Sequence, residues 1–389
     1  MNERLVIVDT HPSHHHAALY RLLARGGLDP LVCYGSDFSV RRARSGTTAS
    51  DLLAGYRHHF LAHADDGADA IEYAGTGDLA ARVRGAGAAL IMTSSGAFSR
   101  AAFRLCQAAR TPILLRVDLV PPGPRARWRR ALHDGKLRRT YARCPKLLYS
   151  GISTQDRLRQ LGAASEQLVF MPVALDEAIY RATEADRFAL RERARADLRV
   201  DENTGVLLFS GPLIEQKSPT LLLDGIAQFA GENRDRFVAV FNGEGPLRPG
   251  LQRRAENLGV RAIFPAVRSG GGQSTYHHAA DLLVLPAPFE PWGSIVNEAL
   301  LHGLPAVVSD GVGCHRDLIE PGVTGKVFEA GSAESLARAI ERAVPLAGSP
   351  EARTACRSRI AAYSLAAAAD AIRTAVTALQ PDAYAFAGR

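Results

Sequence analysis

The stretch from Asp281 to Gly313 constrains the fold most, because it reads in order as a strand, a loop, a helix and a second strand. Residues 282–285 form the short apolar run of a buried strand, and the three prolines that follow prevent its continuation. The helix is expected to start at Gly293 and to end at a glycine–proline turn before the apolar run 306–309. Similar alternation elsewhere in the chain predicts an α/β protein with doubly wound parallel sheets.

Two carboxylates lie on this stretch, Glu290 in the loop and Glu298 in the helix. The backbone amides of Gly293, Ser294 and Ile295 are expected to be free at the helix start, where the helix dipole favours an anion. A diphosphate held there would have a carboxylate on each side to accept hydrogen bonds from hydroxyl groups. The pattern is typical of a site for a nucleoside-diphosphate sugar, although each glutamate taken singly also fits a solvated surface position.

The chain resembles a known family. The E-x7-E pattern, followed by G-x-P and an apolar run, is similar to the retaining glycosyltransferases of family 4, which have the GT-B fold. Three further stretches support the resemblance: GPLIEQKSPTLLLDGI (211–226), FNGEGPLR (241–248) and residues 311–340. The resemblance implies two Rossmann-like domains that face a central cleft.

The length of 389 residues favours two domains. We expect residues 1–175 to form an N-terminal acceptor-side domain and residues 176–364 to form a C-terminal domain that binds the nucleotide-sugar. The alanine-rich helix 365–379 is expected to pack back on the first domain, as the last helix of a GT-B protein does. No G-x-G-x-x-G motif follows the first strand, which argues against a nicotinamide or flavin site there.

The resemblance assigns roles to residues of the second domain. Lys217 is expected to neutralise the donor diphosphate, Glu290 to hold the donor sugar and Glu298 to hold the ribose. Lys217 and Glu290 are the residues expected to be catalytic. The residues expected to contact the donor are Gly211, Lys217, Gly243, Glu290, Trp292, Gly293, Ser294, Ile295 and Glu298.

One position departs from the family. Pro212 stands where the family usually has an arginine that faces the diphosphate, and Arg116 or Arg268 is the candidate replacement cation. The glycine-rich loop 269–273 lies near the expected base pocket, but its glycines are also what a simple turn of the chain requires. Lys217 itself also fits a plain surface lysine after a strand.

Polar side chains follow the first strand in the run HPSHHH. We expect a loop through His16 and a helix from about Ala17, and we take His14, His15 and His16 as acceptor-side candidates because imidazole donates or accepts near neutral pH. Loop packing and metal binding are the alternatives. Neighbouring residues of one loop rarely point at one ion, so a metal is the least favoured of the three interpretations.

A second polar turn, Arg116 to Asp118, follows another strand on the acceptor side. Both residues match an Arg-Gly-Asp-Ser-like turn of the resembling subgroup, whereas Val117 departs from it. Arg116 either contacts an acceptor or a phosphate oxygen, or pairs with Asp118 and simply braces the loop.

The function hypothesis is a hexosyltransferase that moves a sugar from a UDP- or GDP-sugar to a hydroxyl group of a sugar, glycolipid or small-metabolite acceptor. The resemblance implies retention of anomeric configuration. Neither a cofactor nor a metal is expected, because no D-x-D motif accompanies the nucleotide site and protein cations can replace the ion. The alternatives are a GT-B sugar-nucleotide epimerase and a non-catalytic sugar- or nucleotide-binding protein.

Charge and composition bear on location. A net charge of +7 suits anionic ligands. Residues 125–146 hold nine Lys/Arg against one Asp, with apolar residues at roughly helical spacing. Such a helix either contacts an anionic membrane surface or is a solvated face, and no nucleic-acid module accompanies it. Five scattered cysteines and the lack of an apolar run near ~20 residues predict a cytoplasmic protein, with peripheral contact at the inner membrane face as an option.

Overall fold

The computed structural model describes residues 4–37, 40, 52–61, 76–118, 127–180, 184–266 and 274–379. Arg268, the loop 269–273 and the first residues of the basic segment lie outside this part of the chain. The chain divides into two compact units, Met1–Ala174 with Ser364–Arg389, and Leu175–Tyr363. Each unit contains a parallel sheet, which confirms the predicted α/β class with two doubly wound sheets.

The sheet of the first unit has the strand order β3-β2-β1-β4-β5-β6-β7, and all neighbours are parallel. Its strands are β1 (Leu5–Asp9), β2 (Leu31–Tyr34), β3 (Arg57–Phe60), β4 (Ala88–Ile91), β5 (Ile113–Val117), β6 (Lys146–Tyr149) and β7 (Leu168–Phe170). The described helices between them are α1 (His14–Arg25), α2 (Leu79–Val83), α3 (Gly96–Ala108), α4 (Arg127–Tyr141) and α5 (Ile152–Gln160). The strand order reverses between β1 and β4, so a ligand crevice is expected beyond the carboxyl ends of these two strands.

Both faces of this sheet are covered. On β1, Leu5 and Ile7 pack with α1 on one face, whereas Val6 and Val8 pack with α3 on the other. All five residues of β1 are buried, as expected for a parallel strand between two layers of helices. This explains why the central strands read as unbroken apolar runs.

The helix α1 begins earlier than predicted. The run HPSHHH predicted a loop through His16, but the helix starts at His14, so that prediction was wrong. Ser13 is the cause: its backbone is extended and its side chain accepts a hydrogen bond from the amide of His16 at 3.3 Å. A serine N-cap of this kind satisfies a first-turn donor and fixes the helix start.

The sheet of the second unit has the order β10-β9-β8-β11-β12-β13, again all parallel. Its strands are β8 (Gly205–Ser210), β9 (Phe237–Asn242), β10 (Ala262–Ile263), β11 (Leu282–Leu285), β12 (Ala306–Ser309) and β13 (Gly325–Phe328). Its described helices are α6 (Glu184–Leu198), α7 (Thr220–Ala227), α8 (Glu232–Asp235), α9 (Arg248–Leu258), α10 (Thr275–Ala279), α11 (Ser294–Leu301), α12 (His315–Leu318), α13 (Ala333–Ala343) and α14 (Pro350–Ile360). The order reverses between β8 and β11, so the loops after these strands border the second switch point.

The last described helix, α15 (Leu365–Thr377), belongs to the first unit. Its apolar residues Ala368 and Ile372 are fully buried in the same cluster as Tyr20 and Leu23 of α1. The chain therefore returns to its first unit after completing the second.

Candidate active site

Two glycine loops meet at the switch point of the second unit. Gly211 follows β8 and Gly243 follows β9, and the Gly211 amide donates to the carbonyl of Asn242 at 3.0 Å. A Cβ atom added to Gly243 would lie 1.9 Å from the carbonyl oxygen of Gly211. The backbones of the two predicted donor-site glycines are thus in direct contact, and no side chain fits between them.

Lys217 and Glu290 form an ion pair. Lys217 ends a 3₁₀ turn in the loop after β8, whereas Glu290 lies in the loop after β11. The Nζ of Lys217 donates to Oε2 of Glu290, and the two side chains are 27% and 17% exposed. The two residues predicted to be catalytic are therefore brought together at the carboxyl edge of the sheet, and neither is a freely solvated surface residue.

The loop that carries Glu290 is fixed by the segment after β12. The Glu290 amide donates to the carbonyl of Gly311 at 3.0 Å, and the Gly313 amide donates to the carbonyl of Glu290 at 2.8 Å. A Cβ atom on Gly313 would lie 2.0 Å from the carbonyl oxygen of Pro291. Two glycines thus let this segment run flat against the loop, which holds the Glu290 backbone in one place.

The helix α11 starts at the predicted position. Gly293 is its N-cap with φ of 97°, a left-handed conformation that favours glycine, and a Cβ atom there would lie 2.9 Å from Val312 Cγ1. The Val296 amide donates to the Gly293 carbonyl at 2.9 Å and closes the first turn. The amides of Ser294 and Ile295 precede it, and in any α-helix such amides have no intrahelical acceptor. The start of α11 therefore has the electrostatic character of an anion site.

Glu298 lies about one turn into this helix and is mostly buried. Its side chain is 17% exposed, and burial raises the pKa of its carboxyl group from 4.5 to about 7. The imidazole Nε2 of His277, on α10, lies 4.0 Å from Oε2 of Glu298. A carboxyl group in this environment changes its charge near neutral pH.

Trp292 faces the interior of the unit. Its indole N–H donates to Oδ1 of Asn297 at 2.9 Å, and its ring centroid lies 5.5 Å from that of Tyr363. Trp292 is 7% exposed. The indole N–H of Trp292 thus already has a hydrogen-bond partner, so any part that Trp292 plays in the pocket is to brace the turn before α11. Its contacts with Asn297 and Tyr363 were not predicted from the sequence.

The acceptor-side candidates of the first unit lie around the carboxyl end of β1. His16 Nδ1 is 2.8 Å from Oδ2 of Asp9, and its Nε2 is 3.5 Å from Nη1 of Arg116. Arg116 is also 3.7 Å from Asp118, whose side chain is 42% exposed. His14 is exposed, and the side chain of His15 lies outside the described part of the structure.

Asp9 was missed by the sequence analysis. The signal was a lone carboxylate at the end of an otherwise apolar strand, LVIVD. Within the described residues, no group of three or more His, Cys, Asp or Glu side chains is arranged to hold a metal ion. His16 connects the histidine run to a hydrogen-bond network with Asp9 and Arg116.

The basic segment is helical over Arg127–Tyr141. Tyr141 is buried, whereas Leu132 is 61% exposed and Arg138 and Arg139 are exposed. The helix thus presents an apolar side chain and cations to solvent. In the described part of the chain, no helix is both long enough and apolar enough to cross a membrane.

The part of the chain that matches a known protein family lies in the second unit. Residues 191–360 match the family model described as "Glycosyl transferases group 1". The chain is 31% identical over 251 residues to D-inositol 3-phosphate glycosyltransferase from Geodermatophilus obscurus, covering 61% of this chain and 54% of that protein. It is 32% identical over 199 residues to alpha-D-kanosaminyltransferase from Streptomyces kanamyceticus, covering 48% of each. The chain thus spans about half the length of the curated relatives it matches.

Solved structures match over nearly the whole chain. HepE from Anabaena, solved in complex with UDP, superimposes with a TM-score of 0.71 at 16% identity, covering 97% of this chain and 100% of that one. WaaG, described as a glycosyltransferase involved in lipopolysaccharide biosynthesis, gives a TM-score of 0.66 at 16% identity, with 97% and 99% covered. The two Rossmann-like sheets therefore match the GT-B fold of glycosyltransferase structures.

Proposed function

We propose that this protein transfers a sugar from a nucleoside-diphosphate sugar to a hydroxyl-bearing acceptor with retention of anomeric configuration. The observation that carries the proposal is the Lys217–Glu290 pair beside the start of α11, with Glu298 one turn into that helix. A cation, free helix amides and two carboxylates are the groups that a diphosphate flanked by two sugars requires. The match of residues 191–360 to group 1 glycosyltransferases supports it, and the UDP bound to HepE favours a UDP-sugar over a GDP-sugar as the first donor to test.

Donor binding exchanges the partners of the ion pair. The diphosphate lies on the amides of Ser294 and Ile295, and Lys217 turns from Glu290 to a phosphate oxygen. Glu290 is then free to accept hydrogen bonds from hydroxyl groups of the donor sugar. Because both side chains are mostly shielded from water, each needs its new partner at the moment it gives up the old one.

Lys217 and the start of α11 also assist the departure of the nucleoside diphosphate from the sugar. As the bond between the sugar C1 and the phosphate oxygen breaks, negative charge grows on the diphosphate. A fixed cation and oriented helix amides stabilise that charge more than they stabilise the bound donor, which lowers the barrier. We propose that these groups replace a divalent ion and that no cofactor is needed.

The acceptor hydroxyl supplies the new bond to C1. Its proton goes to an oxygen of the departing diphosphate, so that atoms and charge balance without a separate carboxylate base. This same-face reaction leads to retention. The first unit supplies the acceptor contacts through His16 and Arg116, and we take a sugar, a glycolipid or a small metabolite as the acceptor class.

The test is release of nucleoside diphosphate from a panel of UDP- and GDP-sugars, each offered with simple sugars, phosphorylated polyols and glycolipids. We expect one donor to give an acceptor-dependent product whose anomeric proton signals show retention. Lys217→Met is expected to lower turnover at least ~100-fold, whereas the matched control Lys136→Met, at an exposed position on α4, is expected to act like the unchanged protein. Diphosphate release in which the sugar appears only as a free epimer would instead indicate an epimerase, and binding without release would indicate a receptor.

A further inference from the structure

The carboxylate of Asp9 is buried at the end of β1 and fully engaged. Its Oδ1 accepts from the Thr10 amide at 2.8 Å, and its Oδ2 accepts from the Tyr20 hydroxyl at 2.8 Å. The same Oδ2 lies 2.8 Å from Nδ1 of His16. Burial alone would raise the pKa of Asp9, but His16, Tyr20 and the Thr10 amide together outweigh it and lower the pKa below its ordinary value. Asp9 is therefore a carboxylate at neutral pH.

The contact with Arg116 favours a proton on Nδ1 of His16. A guanidinium group has only donors, and its Nη1 lies 3.5 Å from Nε2 of His16. This contact is a hydrogen bond only when Nε2 presents its lone pair, and the imidazole proton is then on Nδ1, from which it donates to Asp9. Both contacts are satisfied together only by the neutral ring with its proton on Nδ1.

The Nε2 lone pair of His16 lies at the switch point of the first unit. His16 is in the first turn of α1, directly beyond the carboxyl end of β1, and its side chain is 27% exposed. The contact to Arg116 is longer than the usual ~2.9 Å of an N–H donor, so a better donor can take the lone pair. Nε2 and the guanidinium side by side offer an acceptor and a donor, which is the complement of a hydroxyl group.

We propose that Asp9 is a positioning residue that fixes the proton of His16 on Nδ1, so that Nε2 accepts a hydrogen bond from the attacking hydroxyl of the acceptor while Arg116 donates to the same group. This deepens the proposed function and rests on it. His16 orients the hydroxyl and keeps no proton, which still passes to the departing diphosphate. Asp9 acts only through His16 and touches no substrate.

The Asp9→Asn variant exchanges donor and acceptor in the hydrogen bond between residue 9 and Nδ1 of His16. The Thr10 amide needs an acceptor, so the amide oxygen of the new side chain stays where Oδ1 was. Its NH₂ group then takes the place of Oδ2 and points at Nδ1 of His16. Nδ1 must now accept, the proton moves to Nε2, and the ring presents a donor to Arg116 and to the acceptor hydroxyl.

The first measurement needs no substrate. Nitrogen NMR of the full chain, labelled at histidine and assigned with His16→Gln, is expected to show the Nδ1–H form in the unchanged protein and the Nε2–H form in Asp9→Asn. Tyr20→Phe removes the other hydrogen bond to Oδ2 without reversing the pair, so it is expected to keep the Nδ1–H form. An Nε2–H or doubly protonated ring in the unchanged protein at neutral pH overturns the proposal, whether or not any variant folds.

The second measurement distinguishes a role of Asp9 in orienting His16 for the reaction from a purely structural role. We expect Asp9→Asn and His16→Gln to lower acceptor-dependent turnover by ~100-fold, because a misaligned hydroxyl loses its attack geometry. Calorimetric affinity for the free nucleoside diphosphate, which the second unit binds, is expected to stay within twofold. Turnover in Asp9→Asn within threefold of the unchanged protein, with the tautomer reversed, contradicts the role of His16. If the unchanged protein transfers no sugar at all, the proposed function fails, and the NMR result still decides the tautomer.

Discussion

The carboxyl group of Glu298 is expected to make the affinity for the donor depend on pH. Ribose hydroxyl groups donate to an ionised carboxylate, but burial raises the pKa of Glu298 to about 7. If Glu298 holds the ribose, as we propose, the nucleotide binds to the ionised form, whereas part of the free protein is protonated at neutral pH.

The expected size follows from the ionised fraction. With a pKa of about 7, about nine-tenths of the carboxyl groups are ionised at about pH 8 and about one-tenth at about pH 6. The affinity for the donor is therefore expected to fall about tenfold between these values, or ~1.4 kcal/mol. Binding at the lower pH should also release close to one proton for each donor bound.

The same group sets a stability difference of the opposite sign. Between its ordinary value of 4.5 and about 7, the folded chain keeps the Glu298 proton that the unfolded chain has lost. The unfolded state then binds fewer protons, so stability falls as pH rises through this window. Relative to Glu298→Gln, the protein is expected to lose up to about 3 kcal/mol of its free energy of unfolding across the window.

The assay is titration calorimetry with an intact nucleoside-diphosphate sugar, in two buffers of different ionisation enthalpy. Free nucleoside diphosphate is unsuitable because its terminal phosphate also titrates near ~6. The control is Glu298→Gln, which keeps the size of the side chain and removes the charge. A donor affinity that does not change with pH, or that changes equally in both proteins, would refute the assignment of Glu298 to the ribose.

Four further outcomes are expected. Lys217→Met should lower kcat/KM by ~100-fold or more. Glu290→Gln should release Lys217 for the diphosphate, so the affinity for free nucleotide measured by calorimetry should rise a few-fold while turnover falls by ~100-fold. Arg195→Met leaves the buried carbonyls of Ala279 and Thr204 without their guanidinium donor and should lower the free energy of unfolding by ~2–5 kcal/mol, which thermal melting detects; a loss below ~1 kcal/mol would contradict this. Replacing Arg138 and Arg139 by glutamine should weaken cosedimentation with anionic vesicles at low salt by ~1 kcal/mol for each charge, and an unchanged protein that never sediments with them has a solvated helix here.

The strands that are buried on both faces of a sheet were predicted well from the sequence. Central strands such as β1 and β11 are buried on both faces, so their apolar runs are unbroken and easily found. The strand β3, Arg57–Phe60, was missed because it lies at the sheet edge and reads RHHF, with two exposed and two half-buried residues. An edge strand has one neighbour and need not be apolar.

Helix α6 shows a second limit of pattern reading. It was interpreted as charged and without a strong apolar stripe, yet Arg187, Arg191 and Arg195 recur every four residues and donate to backbone carbonyls of the second unit. Arg195 is 1% exposed, and it also contacts Asp281 at 3.3 Å. The helix is thus anchored by guanidinium groups that bind carbonyl oxygens, a mode of packing that hydrophobic periodicity does not detect.

At the candidate site, spacing located the residues but not their partners. The E-x7-E pattern placed Glu290 in the loop and Glu298 in the helix, as the structure has them. It did not indicate that Glu290 pairs with Lys217, because that contact joins residues 73 positions apart. Asp9 was missed for the same reason, since its meaning depends on a histidine and a tyrosine that the fold brings to it.

The Lys217–Glu290 pair also bears on how the site tolerates Pro212 in place of an arginine. With a single lysine facing the diphosphate, a free cation would hold the product nucleotide strongly after transfer. Here Lys217 is paired with Glu290, and a bare diphosphate must draw it away while offering Glu290 nothing in return. The full donor offers the sugar hydroxyl groups as well, so both members of the pair gain new partners. Under the proposed function, the ion pair would therefore favour donor over product and would lower the affinity most for the nucleoside diphosphate that has to leave.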